Sequence, residues 1–472
     1  MKTKTAMTIL VIVLLAAGLR LAFMGVTPWD WDEPVYTRIA NNVQSMGHPS
    51  LDIGGEEEWY TYHPPFHFWL LSGWYALIGD DTIWAGRLFS SLAATICVVL
   101  LMVLVWEISQ DKQLTLFAGF LFATDGWFGY TSLLVKLDTT AVAIGIAGLI
   151  LFVQALKTPK TGLFIATGLV IGIATIYKHV AAVFLLTIAI HWLITKGNRR
   201  QHLIVLAAAG FVIVLYILGM AIFVGEPFTH ATVVQVRRTL GQQEARGLQY
   251  GLVETLQAMF NTYWAFSGTV LVLFIGGIIS IWMGRLHWQG EEHWLAVITA
   301  WALAALLMLG GIKLRNPHYL VYAIPPATVL VAEFLLGLIE QRRNKLAGRL
   351  LAVLLVMSFS TFSIRATRFS PTNALGELQY QMDQLPADVT VLSEESICAL
   401  IDQPCYPFGH YQTAGQIASI PGGKPQYVVV YTTTTQKPPQ TEAVLELISE
   451  GQVIYSISGW KETLTIIQVE SP

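Results

Sequence analysis

Residues 6–34 read AMTILVIVLLAAGLRLAFMGVTPWDWDEP: an apolar run from Ala6 to Val26 that gives way at once to Asp30, Asp32 and Glu33, set among Trp29, Trp31 and Pro34. A helix needs about 20 apolar residues to cross the roughly 30 Å hydrocarbon core of a bilayer, and this run supplies them. Lys2 and Lys4 in front of it would suit a signal peptide, but the run passes Arg20 without a small-residue cleavage site, so a retained anchor is expected. Similar runs extend from Arg87 to Trp106 and over Leu114–Leu134, Thr139–Leu156, Gly162–Tyr177, His179–Ile194 and Leu203–Val224. Tyr263–Met283, Trp294–Gly311, Tyr319–Ile339 and Leu350–Ile364 follow, for a total of about eleven expected spans.

Composition agrees with this reading. Over the 472 residues the hydrophobic fraction is 54% and the charged fraction 12%, the latter about half the roughly 25% of an average soluble chain. A soluble protein of this size has no interior large enough to hide such a surface, so the bilayer must act as solvent. The net charge of −3 gives no reason to expect nucleic acid. Three cysteines are too few for a disulfide framework. Cys97 lies in an apolar run, whereas Cys398 and Cys405 sit in the polar tail and could pair in an oxidising compartment.

The basic residues predict the topology. Lys2 and Lys4, Lys157 and Lys160, Lys196 with Arg199 and Arg200, Arg285, and the group Arg342, Arg343, Lys345 and Arg349 fall in alternate, short gaps. Positive charge stays on the cytoplasmic side, which places the N-terminus there. The long gaps at 27–86 and 225–262 and the C-terminal tail are then external. The expected setting is a multi-pass plasma or inner membrane with an extracytoplasmic C-terminal domain. Within the first loop Phe66–Ile78 is aromatic and apolar but too short to span, and reads as an interfacial helix, as does Val233–Phe260. The chain is expected to divide into a transmembrane unit, 1–365, and a small α/β unit, 366–472. In the latter, Asn373–Leu385 and Thr441–Glu450 read as helices. Val389–Ser393, Tyr427–Thr434, Val453–Ser458 and Thr463–Val469 read as strands.

Candidate chemistry gathers on the external side. Asp30, Asp32 and Glu33 read equally well as a solvated acidic loop in an aromatic belt or as a general base with an orienting neighbour. In Tyr60-Thr61-Tyr62-His63-Pro64-Pro65 the prolines fix the backbone and His63 can face an anionic or hydroxyl-bearing ligand. Asp138, Lys178, Lys313, Arg315 and His318 stand at span ends on the same side. Snorkelling explains any one of them, but carboxylates and cations on one face suit a reaction that takes a proton from a nucleophile and releases a phosphate. Arg20 and Arg87 lie near that face and could merely anchor spans or pair with acids. A transporter or flippase of polyprenyl-linked or other anionic substrates is the alternative. It would place charges and broken helices near the bilayer midplane, whereas here the informative charges lie at span ends and in loops.

These residues resemble the GT-C class of integral membrane glycosyltransferases, and within it the branch of the protein O-mannosyltransferases and lipid A aminoarabinose transferases. Asp32-Glu33 matches the acidic pair of the first loop, and His63-Pro64-Pro65 stands where many relatives carry Lys-Pro-Pro. Leu137-Asp138 matches the aspartate before the fourth span, and Gly172 to Lys178 a glycine-containing helix that ends in lysine. Arg315 to Pro326, with His318-Tyr319 and Pro325-Pro326, resembles a basic-aromatic entry into a proline-containing span. The resemblance runs from about residue 6 to residue 340.

It implies a polytopic α-helical membrane fold and an inverting transfer of sugar from a polyprenyl-phosphate lipid to a protein, glycolipid or polysaccharide acceptor. Asp32 is the expected base, with Glu33 orienting it or the acceptor. Lys178, Arg315, His318 and His63 are expected at the donor phosphate, and Asp138, Tyr62, Trp31 and Tyr319 at the substrate. Because protein cations can hold the leaving phosphate, no cofactor is required and a divalent metal is allowed but not expected. Histidine at position 63 in place of lysine leaves a charge near the donor missing or dependent on pH. The tail carries no motif that names an acceptor.

Overall fold

The computed structural model describes residues 3–27, 30, 32–53, 56–196, 198–240, 294–311, 317–367, 374–408, 411, 413–421, 424–433, 441–458 and 462–469. The first apolar run forms α1 (Thr3–Met24), and the acidic segment after it opens α2 (Asp32–Met46). Asp32 and Glu33 occupy the first turn of α2, where carboxylates favour the positive end of the helix dipole, and Pro34 suits a first turn that has no use for its amide proton. The sequence reading placed one helix in the 27–86 loop; it holds two helices and a hairpin of β1 (Ser50–Ile53) and β2 (Glu56–Trp59). The expected interfacial helix is α3 (Phe66–Ile78), which stops at Gly79 with φ +69°, a conformation glycine adopts without a Cβ penalty.

The bundle continues with α4 (Ile83–Ser109) and α5 (Lys112–Ala123). The expected continuous span 114–134 is broken, because α5 ends and α6 (Gly126–Thr131) restarts after Asp125. Side chains compensate the interruption: the Asp125 carboxylate accepts from the Phe128 amide (2.7 Å), and the Ser358 hydroxyl accepts from the Gly126 amide (2.6 Å) while donating to the Thr124 carbonyl (2.8 Å). An apolar run alone cannot signal such a break; a buried backbone interruption survives only where partners satisfy its polar groups. A Cβ at position 126 would lie 2.0 Å from the Ser358 carbonyl oxygen, so glycine is obligatory there.

Next come α7 (Asp138–Lys157), α8 (Thr161–Tyr177), a 3-10 turn (His179–Ala182), α9 (Val183–Thr195), α10 (Arg199–Phe223) and α11 (Glu226–Leu240). The surface helix expected over 233–260 thus begins earlier. Residues 241–260, and the expected span 263–283, lie outside the described residues. The membrane unit ends with α12 (Trp294–Gly311), a 3-10 turn (Pro317–Tyr322), α13 (Ile324–Glu340) and α14 (Asn344–Thr367). Among the described residues, five helices are long and apolar enough to cross a membrane: Lys4–Met24, Ile83–Ser109, Asp138–Lys157, Arg199–Phe223 and Asn344–Ser363. Shorter apolar helices, including Thr161–Tyr177 and His179–Thr195, pack among them.

In the tail a five-stranded sheet has the order β4-β3-β5-β7-β6, with β3 (Val391–Ser393), β4 (Cys405–Pro407), β5 (Tyr427–Thr433), β6 (Gln452–Ser458) and β7 (Glu462–Gln468). β4, β3 and β5 run parallel, while β5, β7 and β6 are antiparallel. Alternation along each strand gives two apolar faces. Val429, Tyr431, Leu464 and Ile466 pack with Leu375, Leu378 and Met382 of α15 (Ala374–Met382). Val428, Val430 and Ile467 pack with Val444 and Leu447 on the helix Glu442–Glu450. Cys398 and Cys405 form a disulfide, and Cys97 is free and buried.

Candidate active site

Lys136, in the turn between α6 and α7, organises the cluster. Its ammonium lies 2.5 Å from Asp30 Oδ2, pairs equally closely with Asp32 Oδ2, and stands over the Tyr36 ring, 5.8 Å from the centroid. Burial alone would lower the pKa of this lysine; Asp30 and then Asp32 reverse that and raise it, so the cation is permanent. The two carboxylates differ in access: the Asp30 side chain is 18% exposed and that of Asp32 39%. Asp32 is therefore the reachable acid.

Glu33 has a different surrounding. It is fully buried and grips Arg87 in bidentate fashion, Nε to Oε1 at 2.8 Å and Nη2 to Oε2 at 2.7 Å. Its oxygens also accept from the amides of Val135 (2.9 Å) and Asp30 (2.7 Å). Arg87 Nη1 donates onward to the carbonyls of Met24 (2.9 Å) and Thr27 (2.6 Å). One ion pair thus ties together the end of α1, the start of α2, the start of α4 and the approach to α7. The Glu33 carboxylate is thus committed to Arg87 and to backbone amides of the segment that carries Asp32. Arg87 takes the pairing role that its position at a span end allowed.

His63 accepts from or donates to the Tyr36 hydroxyl through Nε2 (2.8 Å). Burial, then Lys178, His179 and Lys136, hold its pKa well below the usual histidine value. His318 is pushed down to about 4 by burial and by Lys136, against the pull of Asp30, Asp138 and Asp32. His67, whose Nδ1 meets the Tyr177 hydroxyl at 2.6 Å, is lowered to about 3 by burial and Lys178. These mutual influences bring His63, Lys178, His318, Asp138, Asp30 and Asp32 into one neighbourhood with Lys136. Lys178 is buried between α8 and the turn that follows. Asp138 is buried at the start of α7, with no hydrogen-bond partner for Oδ1 among the described residues. Tyr62 is 44% exposed with its ring 5.9 Å from that of Tyr60, and Tyr319 lies in the turn Pro317–Tyr322. Trp31 and Arg315 lie outside the described residues.

Sequence reasoning missed Lys136 and Tyr36. The available signal was a lysine two residues before Asp138 in an otherwise apolar stretch, where charge is costly unless it is paired. Among the described residues no group of three or more His, Cys, Asp or Glu side chains is arranged to hold a metal ion; Lys136 itself fills the space between the two aspartates.

The histidines predict a pH effect with a definite sign. A histidine whose folded-state pKa is depressed resists protonation, so the folded state is at full stability above the unfolded pKa of about 6.5 and loses stability as pH falls below it. The melting temperature in detergent should therefore fall between pH 7 and pH 5, before most carboxylates titrate. A flat profile over that window would mean that these histidines accept protons in the folded state.

The architecture matches solved membrane enzymes. ArnT from Cupriavidus metallidurans, determined with undecaprenyl phosphate, aligns over 97% of this chain and 97% of its own, with a TM-score of 0.66 and 15% identity. The oligosaccharyltransferase AglB from Archaeoglobus fulgidus, determined with an inhibitory peptide and a dolichol-phosphate, aligns over 91% of this chain and 69% of its own, with a TM-score of 0.61 and 13% identity. At such identities the likeness is one of fold. Among curated proteins, no sequence matches significantly. A family model, dolichyl-phosphate-mannose-protein mannosyltransferase, matches residues 62–224, the stretch that contains His63, Lys136, Asp138 and Lys178. The fold is that of these GT-C membrane enzymes, and the family model matches about a third of the chain within it.

Proposed function

We propose that the chain is a GT-C glycosyltransferase that moves a sugar, with inversion, from a polyprenyl-phosphate donor to an acceptor hydroxyl at the external face of the membrane. The observation that carries the reading is the start of α2. Lys136 pairs with both Asp30 and Asp32, and Asp32 is the more exposed of the two carboxylates.

In this scheme Asp32 Oδ1 takes the proton of the acceptor hydroxyl. The acceptor oxygen bonds to the anomeric carbon from the side opposite the phosphate, and the carbon–oxygen bond to phosphate breaks with its electron pair leaving on the lipid phosphate. Lys178 and Arg315 are assigned to the charge that develops there. His63 and His318, held neutral by burial and by nearby cations, are assigned hydrogen bonds to the phosphate, not charge. Asp138, Tyr62, Trp31 and Tyr319 are assigned to the sugar and acceptor. Protein cations supply the electrostatics, so the scheme includes no cofactor, and a divalent metal stays compatible with it.

A polyprenyl carrier is supported by the lipids bound to ArnT and AglB, which are undecaprenyl phosphate and dolichol-phosphate. The acceptor is left as protein, glycolipid or polysaccharide. The basic short gaps support a cytoplasmic N-terminus and an extracytoplasmic tail, with about eleven spans in 1–365 and the α/β unit in 366–472. The deciding experiment offers the chain in nanodiscs radiolabelled polyprenyl-phosphate mannose, galactose and aminoarabinose with crude membrane acceptors, with and without chelator. Release of polyprenyl phosphate from one donor is expected. Lipid binding without release from any donor would overturn the proposal.

A further inference from the structure

The residues of α2 divide into two faces. Asp32 and Tyr36 face Lys136, whereas Pro34, Thr37, Arg38 and Asn41, which recur at helical spacing on the opposite side, line a cavity of about 620 Å³. Its other walls are the turn into α4 and the tail unit, where the disulfide between Cys398 and Cys405 closes the short loop that carries Asp402. Arg38 and Asp402 approach to 3.8 Å across it. Small-molecule sites commonly measure about 300–1,000 Å³, so this one has room for a short polar oligomer.

We infer that this cavity is a saccharide-binding subsite, separate from the catalytic cluster and built jointly by the membrane unit and the tail. The lining argues for hydroxyl groups. Asp81 and Asp402 only accept hydrogen bonds, Arg38 only donates, and Asn41 and Gln379 do both. A sugar hydroxyl, which donates and accepts at once, satisfies all three kinds of partner, while a phosphate would meet two carboxylates and a polyamine would meet Arg38. Asn41 Oδ1 has no hydrogen-bond partner among the described residues, so an acceptor is already in place for a donor hydroxyl. Trp84, 49% exposed, lines the same cavity. An indole face beside carboxylates and amides offers a flat apolar platform for the C–H face of a pyranose ring. Arg87 also lines the cavity, but its charge is committed to Glu33; through that pair an occupant would be felt at the segment carrying Asp32.

The inference does not depend on the donor, because binding can be read without one. Saturation-transfer-difference NMR on the chain in nanodiscs would use mannotriose, chitotriose and galactobiose as probes, with the wild type and the Trp84→Ala, Asp81→Asn and Asp32→Asn variants. At least one probe is expected to bind. Trp84→Ala and Asp81→Asn, both at exposed positions, should each weaken it by about tenfold or more, the value of a charged hydrogen bond or a lost stacking contact. Asp32→Asn should bind as the wild type does. No binding by any of the three probes, or affinity untouched by both cavity substitutions, overturns the subsite. Loss of binding in Asp32→Asn with the cavity variants unaffected would place the sugar in the catalytic cluster instead and overturn it equally.

Discussion

Asparagine in place of Asp32 should slow sugar transfer by about 10²–10⁴-fold at saturating donor, the range a positioned general base contributes, while leaving the melting temperature close to that of the wild type. The substitution keeps the shape and a hydrogen-bond acceptor but removes the ability to take a proton. It does not orphan a buried cation, because Lys136 keeps its contact with Asp30 at 2.5 Å. Asp30→Asn is the matched control: it removes an equal charge from the same lysine at the less exposed carboxylate, and should cost less in rate. Initial rates of polyprenyl phosphate release, measured beside thermal denaturation, separate the two effects. Full turnover by Asp32→Asn would end the base assignment.

How much of this site could be read from sequence differs from residue to residue, for physical reasons. Membrane helices announce themselves because the bilayer demands long apolar runs, so the starts of α1, α4 and α7 lie within a few residues of expectation. The break at Thr124–Asp125 was invisible because its compensation comes from Ser358, more than two hundred residues away. The first external loop was only partly legible: α2 begins in what reads as a polar, aromatic linker, and its helical character rests on dipole, proline and tertiary contacts more than on a periodic apolar stripe. Strands of the tail were legible because β-branched residues cluster at alternating positions, whereas the three-residue β4 is set by parallel pairing with β3 and had no pattern of its own. Among charges, sequence placed Asp32, Lys178 and Asp138 on one side but could not say which acid meets which base. Lys136, two residues before Asp138, gives little signal of its own, and Glu33, expected to orient Asp32 or the acceptor, is committed by its geometry to Arg87.

That commitment carries the second large effect. Glu33 and Arg87 are both almost wholly buried, with side-chain exposures of 0% and 3%, and removing one member of such a pair leaves the other as an uncompensated charge, which costs about 3–5 kcal/mol. Arg87→Met should therefore destabilise the folded chain severely, and Glu33→Gln nearly as much, since glutamine preserves some amide contacts but not the counter-charge. The double variant should be more stable than the sum of the two losses predicts, because it removes the stranded charge along with its partner, and residues that touch do not combine additively. Melting temperatures of the two single variants and the double variant in one detergent complete the cycle. Activity should not follow stability back. In the double variant the amides of Asp30 and Val135 lose the carboxylate that holds them at 2.7 and 2.9 Å, so Asp32 and Lys136 lose their common anchor even where the helices remain packed. A double variant that regains stability but transfers sugar slowly would mark the pair as the device that positions the base. Single variants that melt like the wild type would show instead that water reaches the pair, and that α1, α2 and α4 are held together by apolar packing alone.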